Sequence, residues 1–321
     1  MWNLAFTPPA LIQARVLTRL PDAFRERRRT DWCDANKPGH QIDSFLEGPS
    51  FDREGNLYVT DIPFGRIFRI SPQLEWSLVA EYDGWPNGLA IHRDGSLWIT
   101  DYRRGLLRID AAACHSRPRQ HHSAAGSVGS PVPLLGHRNS ESFKGLNDLA
   151  FDAAGDCYFT DQGQTGLHDP SGRVYRWRTS GHLDCLLGNV PSPNGVALDR
   201  SGKVLFVAAT RANAVWRGPL LADGTTSKMG AFRTFFGASG PDGMAVDSDN
   251  RLVVAHASLG GAFVVDARGD ITHFVRSPAG STVTNVAYRP GTSKMVLTES
   301  ETGTILEADM PAPGIALWSH A

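Results

Sequence analysis

A short motif recurs six times along the chain and limits its possible folds more than any other feature. Each copy has a carboxylate or carboxamide as its second residue, and it leads into a short alternating apolar run, a turn and a second apolar run. The copies are LEGPSFD (46–52), PNGLAIH (86–92), LNDLAFD (146–152), PNGVALD (193–199), PDGMAVD (241–247) and TNVAY (284–288). Their polar residues, here called the ring residues, are Glu47, Asn87, Asn147, Asn194, Asp242 and Asn285. Repetition at this period indicates a repeat architecture.

The spacing of the ring residues predicts a β-propeller. Four of the five intervals between them are close to the ~40 to 50 residues of one propeller blade. The interval from 87 to 147 is longer and contains an insertion. Within each unit the apolar runs are short and rich in Val, Ile, Leu, Phe and Trp, which favours strands over helices. We therefore predict an all-β fold, a six-bladed propeller with four-stranded blades.

The sixth unit contains only three strand-like runs, so another segment must complete its blade. The segment ARVLTRL (14–20) is the first candidate for this closing strand, and the C-terminal GIALWS (314–319) is its rival. We expect residues 1–45 to form an extended N-terminal arm that includes this closing strand. Residues 46–321 are expected to form the propeller as a single domain.

Composition excludes several classes of partner. The formal net charge is −1, so the chain lacks the basic surface that nucleic-acid binding requires. No apolar run approaches the ~18 to 20 residues of a transmembrane helix, and the first residues lack the basic start of a secretory signal. The four cysteines have no CxxC spacing, which disfavours zinc and a disulfide framework. We expect a cytoplasmic protein whose partner is a small molecule.

Two segments interrupt the repeat. Residues 111–131 are polar and rich in small residues, as in a mobile surface loop, and we interpret their histidines as solvated rather than as metal ligands. These histidines are His115, His121 and His122. The other segment, QGQTGLHDPSG (162–172), lies between the second and third strands of blade three. We expect it above one mouth of the channel, where it could act as a lid.

Pairing the inner hairpins predicts which other residues border the ring. A turn centred on 53–56 sets Gly48 opposite Asp61, and similar counting sets Gly243 opposite His256. The ends of the second strands should therefore lie at the mouth that contains the ring. The residues at these ends are Asp61, Asp101, Asp161, Thr210, His256 and Glu299. From this set we expect Asp161 and His256 to contact a ligand, with His256 as an alternative base, and Asn87 to line the same channel.

The ring combines the carboxylates of Glu47 and Asp242 with several carboxamide oxygens. Hard divalent cations prefer this set of ligands. An alternative is that Asn or Asp before a strand only bonds its own turn. That alternative does not explain why every unit keeps an oxygen ligand at this position. We predict a site for Ca²⁺, with Mg²⁺, Mn²⁺ or Zn²⁺ as alternatives.

The motifs LEGPSFD, LNDLAFD, SPNGVALD and GPDGMAVD, in this order and spacing, resemble those of the SMP-30/gluconolactonase/LRE-like family. Its members are six-bladed propellers that hydrolyse sugar lactones with a divalent metal in the central channel. The resemblance implies that Glu47, Asn194 and Asp242 ligate the metal and that Asp242 is also the general base. It further implies that Asn147 contacts substrate or a metal-bound water.

One position departs from the family pattern. The family often carries Arg two residues before the Asn that corresponds to Asn147, where this chain has Gly145. Lys144 or the QGQTG segment could supply the missing polar contact. The expected activity is metal-dependent hydrolysis of a sugar (aldono-) lactone such as a gluconolactone. The alternatives are hydrolysis of phosphotriesters or other esters on the same scaffold, and a non-catalytic propeller that binds a protein. A Ser or Cys nucleophile is not supported, because no GxSxG motif is present.

Overall fold

Six sheets surround a central channel in the computed structural model, which describes residues 8–114 and 129–320. The first strand of each sheet contacts the first strand of the next, and the sixth contacts the first, so the sheets form a closed ring. This arrangement confirms the predicted six-bladed β-propeller. His115, His121 and His122 lie outside the described residues.

Each of the first four blades is an antiparallel sheet of four strands that follow one another in the chain. Blade one contains Leu46–Phe51, Leu57–Asp61, Arg66–Ile70 and Trp76–Glu81. Blade two contains Pro86–Ile91, Leu97–Asp101, Gly105–Ile109 and Val132–Leu135. Blade three contains Leu146–Phe151, Cys157–Asp161, Gly172–Trp177 and Leu183–Val190. Blade four contains Pro193–Leu198, Val204–Ala209, Ala214–Pro219 and Gly230–Thr234.

The last two blades also use strands from the N-terminal arm. Blade five contains Pro241–Val246, Leu252–His256, Gly261–Val265 and Ile271–Arg276. Blade six contains Val283–Tyr288, Lys294–Glu299 and Thr304–Asp309. A separate two-stranded hairpin joins His137–Arg138 to Glu141–Ser142. The described helices are the α-helices Asp31–Asn36 and Ala111–Cys114 and the 3-10 helices Asp22–Phe24, Ile62–Phe64, Thr210–Ala212 and Trp318–His320.

The hydrophobic core lies between neighbouring blades. Tyr58 and Ile67 of blade one, for example, pack with Leu89, Ile91 and Ile99 of blade two. Side chains alternate between the two faces of a strand, so both faces of a blade can be buried when each sheet is covered by the next. Burial of this apolar surface favours the closed ring over separate blades.

The N-terminal arm closes the ring. Strand β2 (Arg15–Arg19) pairs antiparallel with Thr304–Asp309, which confirms ARVLTRL as the closing strand of blade six. Strand β1 (Ala10–Gln13) adds a parallel fifth strand to the edge of blade five, which we did not predict. The rival segment GIALWS does not extend blade six, because Ile315 donates a backbone hydrogen bond to Val246 instead.

A short helix replaces part of the expected extended arm. Helix α1 (Asp31–Asn36) begins after Thr30, whose hydroxyl accepts a hydrogen bond from the Cys33 amide at 3.2 Å. Trp32 and Cys33 are buried against Ile62 of blade one. The expectation of an extended arm is therefore wrong for this segment, and the helix lies at the mouth of the channel. In the part of the chain that the structure describes, no helix has the length and apolar character of a membrane span.

The inner hairpins have a different register from the one that we predicted. Leu46 lies opposite Asp61 and Pro241 lies opposite His256, whereas the prediction placed Gly48 and Gly243 there. In blades one to five the inner hairpin contains an irregularity at or just after the ring residue, and in blade one Gly48 has a φ of 55° at that point. In blade six the irregularity lies just before Asn285. A bulge adds a residue to one strand, so it shifts every pair beyond it. In blades one to five the ends of the second strands therefore lie opposite the residue before the ring residue.

Candidate functional site

Five of the six ring residues meet at one cavity of about 240 Å³, here called the upper cavity. These are Glu47, Asn87, Asn147, Asn194 and Asp242. Trp32 and Lys37 from the N-terminal arm also line it, as do Tyr102, Gln162 and Arg211 from loops that join second and third strands. The sixth ring residue, Asn285, lies below this cavity. The repeat therefore delivers most of its polar residues to one place, as the sequence predicts.

Threonines of neighbouring blades hold the ring residues in position. The hydroxyls of Thr60, Thr100 and Thr160 donate to the backbone oxygens of the next ring residues at 2.6, 2.5 and 2.7 Å. The acceptors are Asn87, Asn147 and Asn194. These threonines precede the aspartates that end the second strands, in the recurring Thr-Asp pair. The sequence analysis did not assign this role to them, although their recurrence was a signal.

Glycine after the ring residue permits close packing around the channel. A Cβ atom at Gly195 would lie 2.3 Å from the backbone oxygen of Asp242. No side chain fits at that distance, so the backbones of blades four and five approach each other closely only because this residue is glycine.

Glu47 is buried and fixed by two donors. Glu47 is only 4% exposed. Its Oε2 accepts hydrogen bonds from the Gly48 amide at 2.6 Å and from Asn285 Nδ2 at 2.8 Å. Burial raises the pKa of this carboxyl to about 7, against the action of these hydrogen bonds. Asn285 thus acts on the site through Glu47.

Asp242 is the second carboxylate of the upper cavity, and it is 7% exposed. Its pKa is raised well above the ordinary value, first by burial and then by the negative charges of Glu47 and Asp148. Arg211 and a hydrogen bond with Asn194 act in the opposite direction. The ionised form of Asp242 therefore depends on positive charge from its surroundings.

Asp148 is a third buried carboxylate that the sequence analysis missed. Its Oδ1 accepts a hydrogen bond from the Leu149 amide at 2.8 Å. Burial and the charge of Glu47 raise its pKa to about 8. A signal was present in the repeat, because four of the other units have glycine after the ring residue. Blade six has Val286 at this position, and blade three alone has a carboxylate there.

Asn147 is oriented by the segment that we predicted as a lid. Its Nδ2 donates to Gln162 Oε1 at 2.8 Å, and Gln162 Nε2 donates to Ser192 Oγ at 3.0 Å. The Thr165 hydroxyl in turn accepts from the Ser192 amide at 3.1 Å. Because its side-chain nitrogen donates to Gln162, Asn147 keeps its side-chain oxygen Oδ1 for a ligand.

An aromatic ring occupies the space next to Gly145. This glycine has a φ of 151°, and a Cβ there would lie 2.5 Å from the ring of Tyr102. The Tyr102 hydroxyl accepts a hydrogen bond from Gln164 Nε2 at 3.0 Å. Lys144 is exposed and does not line the upper cavity. Tyr102 and Gln162, rather than Lys144, therefore form this side of the cavity.

Asp161 and His256 lie behind the cavity wall and do not line it. Asp161 Oδ1 accepts a hydrogen bond from the Gly145 amide at 2.9 Å, so it holds the loop that leads to Asn147. The His256 imidazole packs between Phe235 and Phe263, with ring centroids 5.8 and 6.1 Å away. Burial lowers its pKa to about 4, so it is uncharged near neutral pH.

The donors of the upper cavity fit a hard divalent cation. Within residues 8–114 and 129–320, no three His, Cys, Asp or Glu side chains converge closely enough to hold an ion by themselves. Any ion would therefore also need carboxamide oxygens, which Asn147 and Asn194 can supply. Across the same residues, Glu47, Asp148 and Asp242 form no ion pair with Lys, Arg or His. Buried carboxylates without a cationic partner are costly, and a bound cation would remove that cost.

A larger cavity of about 640 Å³, here called the lower cavity, lies further along the channel. Most of its lining is aliphatic and comes from the first strands, as with Leu89, Val196 and Met244. The C-terminal segment 314–320 also lines it, and the Trp318 ring packs 5.2 Å from that of Phe151. Asp148 and Asn285 are among its polar lining residues, so they lie between the two cavities.

Comparison with known proteins identifies related chains. Lactonase drp35 of Staphylococcus aureus (strain MRSA252) is 28% identical over 291 residues, which cover 84% of this chain and 82% of the relative. A gluconolactonase from Xanthomonas campestris has a similar structure, with a TM-score of 0.70, 19% identity and coverage of 95% of this chain and 98% of the other. The calcium-binding protein regucalcin from Agrobacterium tumefaciens gives a TM-score of 0.72 and 18% identity, with 97% and 98% covered.

The family assignment follows from the match of this chain to a family model. Residues 45–301, which contain all six ring residues, match the model of the SMP-30/Gluconolactonase/LRE-like region. The match spans most of the chain and includes the motifs that build the upper cavity. The chain therefore belongs to the SMP-30/gluconolactonase/LRE-like family.

Proposed function

We propose that this protein is a metal-dependent hydrolase of lactones, with a sugar lactone of the aldonolactone type as substrate. One observation carries the proposal. Two buried carboxylates, Glu47 and Asp242, meet carboxamides in one cavity and have no ion-pair partner among the described residues. Relatives named as a lactonase, a gluconolactonase and a calcium-binding regucalcin support this choice of chemistry and of Ca²⁺.

Glu47, Asn194 and Asp242 would hold the cation. Glu47 is oriented for this role by Gly48 and Asn285, which leave its other oxygen for the ion. When bound, the cation would polarise the ester carbonyl and stabilise the negative charge that develops on its oxygen. Mg²⁺ or Mn²⁺ would be tolerated by the same oxygen donors.

Asp242 is the proposed general base. As a water oxygen attacks the lactone carbonyl, the Asp242 carboxylate accepts the proton that the water loses. The bond between the carbonyl carbon and the ring oxygen then breaks, and the same proton passes to that ring oxygen. The products are a carboxylic acid and a hydroxyl group within one molecule.

The remaining residues position the substrate. The Asn147 carbonyl oxygen, oriented by Gln162, would accept a hydrogen bond from a substrate hydroxyl or from the attacking water. Asn87 and Tyr102, which also line the cavity, would border the sugar ring. Asp161 would act indirectly, through the Gly145 amide. His256 would support the wall as an uncharged, buried side chain rather than as a base.

The free state of all four cysteines fits a reducing compartment, and we propose a cytoplasmic location. Metal analysis before and after chelation, with assays on a panel of sugar lactones and a paraoxon-like phosphotriester, tests the function. We expect bound divalent cation, lactone hydrolysis that chelation abolishes, and little phosphotriester turnover. An inert protein that binds no cation would overturn the proposal and leave a protein-binding propeller.

A further inference from the structure

The rim of the upper cavity contains two cationic side chains, Arg211 and Lys37. Arg211 lies in the 3-10 helix between the second and third strands of blade four, and Lys37 directly follows helix α1. Both line the upper cavity. They reach it from different elements, so the pair is not the by-product of one basic segment.

Neither cation is neutralised within the described part of the chain. Some arginines elsewhere are neutralised by a carboxylate, as Arg66 is by Asp61 and Arg251 by Asp247. Among the described residues, Arg211 and Lys37 form no ion pair, and Lys37 Nζ instead lies 5.2 Å from the centre of the Phe45 ring. An unpaired guanidinium at a cavity is free to bind an oxygen anion in two-point geometry.

Arg211 is also held close to the site. A Cβ at Gly166, in the segment that follows Gln162, would lie 3.7 Å from Arg211 Cγ, so this segment borders the arginine stem. The guanidinium is near enough to Asp242 to act on its pKa. A bound divalent cation would balance the charges of Glu47 and Asp242. Arg211 and Lys37 would then leave the cavity with excess positive charge.

We propose that the preferred substrate is a lactone that carries an anionic group, a carboxylate or a phosphate, which binds Arg211 with support from Lys37. This inference rests on the proposed lactonase function and adds the charge of the substrate. The upper cavity, at about 240 Å³, is smaller than the roughly 300 to 1,000 Å³ of pockets for drug-sized ligands. A monosaccharide-sized lactone with one charged substituent is consistent with this volume.

The test compares neutral and anionic ligands on the Ca²⁺-loaded full chain. The kcat/KM values are compared for three lactones. Glucono-1,5-lactone is neutral, its 6-phosphate carries a phosphate, and a glucaric acid lactone carries a carboxylate. Calorimetric binding of 1,5-anhydroglucitol and its 6-phosphate gives a second readout that needs no turnover. We expect an anionic ligand to be favoured about 10- to 100-fold, because hydrogen bonds between charged groups contribute on this scale.

Arg211→Gln should reduce this preference to within about threefold of unity, and Lys37→Gln should reduce it less. The matched control is Arg268→Gln, which removes the same charge from an exposed turn between the third and fourth strands of blade five. It should leave the preference unchanged. Added salt should weaken the preference of the wild-type protein, which gives a readout that depends on no variant.

Equal kcat/KM and equal affinity for neutral and anionic ligands would overturn the inference while the lactonase function stands. A preference that survives in Arg211→Gln, or falls equally in Arg268→Gln, would also overturn it. Tighter binding of the phosphate analogue without hydrolysis of any lactone would have the opposite meaning. It would support the anion subsite and contradict the proposed reaction.

Discussion

The two cavities of the channel differ in the chemistry of their lining residues, and the larger one is not the candidate active site. The lower cavity, at about 640 Å³, is more than twice as large as the upper cavity, at about 240 Å³. Yet the lower cavity is mostly aliphatic, whereas the upper one collects two buried carboxylates and three carboxamides from the ring. Reactive chemistry requires groups that bind cations, transfer protons or orient water. The smaller cavity is therefore the candidate active site.

Both cavities are built from the same six first strands. The ring residues lie at the starts of these strands and face the upper cavity, whereas aliphatic residues further along, such as Leu89, Val196 and Met244, face the lower one. The lower cavity is covered by the C-terminal segment, and the upper cavity is bordered by helix α1. One repeat thus supplies both a polar and an apolar compartment, and its two ends are covered by different termini.

The largest expected effect is on kcat, and it distinguishes the two cavities by substitutions at two positions of one strand. Asp242→Asn should lower kcat for lactone hydrolysis by about 10²- to 10⁴-fold, the range expected for loss of a general base. Met244→Leu, two residues further along the same strand, changes only the lining of the lower cavity and should keep kcat within about twofold. Steady-state kinetics with circular dichroism as a folding control measures both. Wild-type turnover in Asp242→Asn would contradict the assignment.

The next effect concerns the boundary between the cavities. Asn285 lines the lower cavity but donates to Glu47, so Asn285→Leu should weaken Ca²⁺ binding about 10- to 100-fold, as for a residue that supports a metal ligand. Titration calorimetry measures this affinity. Val286→Ala, the adjacent change in the lower cavity, is the control, and it should lower thermal stability without a change in Ca²⁺ affinity. Equal affinities in wild type and Asn285→Leu would place Asn285 outside the site.

Cation binding should also make stability depend on pH. In the ion-free protein, burial raises the pKa of Glu47 from 4.5 to about 7 and that of Asp148 to about 8. The folded state holds these protons more tightly than the unfolded state, so the stabilisation is complete below the unfolded pKa and is lost as pH rises through 7 and 8. Ca²⁺ bound to Glu47 would replace the proton of this carboxyl over the same range.

The rise in Tm on addition of Ca²⁺ should therefore be larger at pH 8 than at pH 5. Differential scanning calorimetry in chelator and in excess Ca²⁺ measures the difference. Glu47→Gln is the matched variant, because it keeps the shape of the side chain without the charge, and its Tm should respond less to Ca²⁺. A Ca²⁺ effect that is the same at both pH values would argue against Glu47 as a ligand.

The smallest expected effect on activity follows deletion of the C-terminal segment that lines the lower cavity. Deletion of residues 314–321 should leave lactone hydrolysis at 25 °C within about threefold of wild type, because none of the described residues 314–320 lines the upper cavity. It should lower Tm, since the Trp318 contacts with His92 and Phe151 are lost. Deletion of residues 1–20 should lower Tm further, by on the order of 10 °C, because it removes the closing strand. An unchanged Tm would contradict that role.

The propeller could be predicted from the sequence because its signals repeat. Period-two alternation and turn residues recur in every unit, so errors in one unit do not change the fold. Helix α1 was missed because its six residues are too short to show a helical period. Strand β1 was missed because its partners lie in blade five, far away in the sequence. The register was wrong because one bulge shifts all pairs beyond it.

The site was predictable where it follows the repeat and unpredictable where it departs from it. The ring residues converge as expected, apart from Asn285. Asp148 was not assigned a role, because its properties depend on the depth of its burial. Gln162 was named only as part of the QGQTG segment, because its bond to Asn147 depends on the path of that loop. Asp161 and His256 were placed at the cavity wall by the incorrect register, and they lie behind it.

The most direct test of the proposed site is the rate of glucono-1,5-lactone hydrolysis as Ca²⁺ is returned to the chelated protein. We predict a negligible rate in chelator and a rise that saturates as one ion binds per chain, with no such rise in Glu47→Gln. A full rate in chelator, unchanged by added Ca²⁺, would contradict the assignment of the upper cavity as a metal-dependent lactonase site.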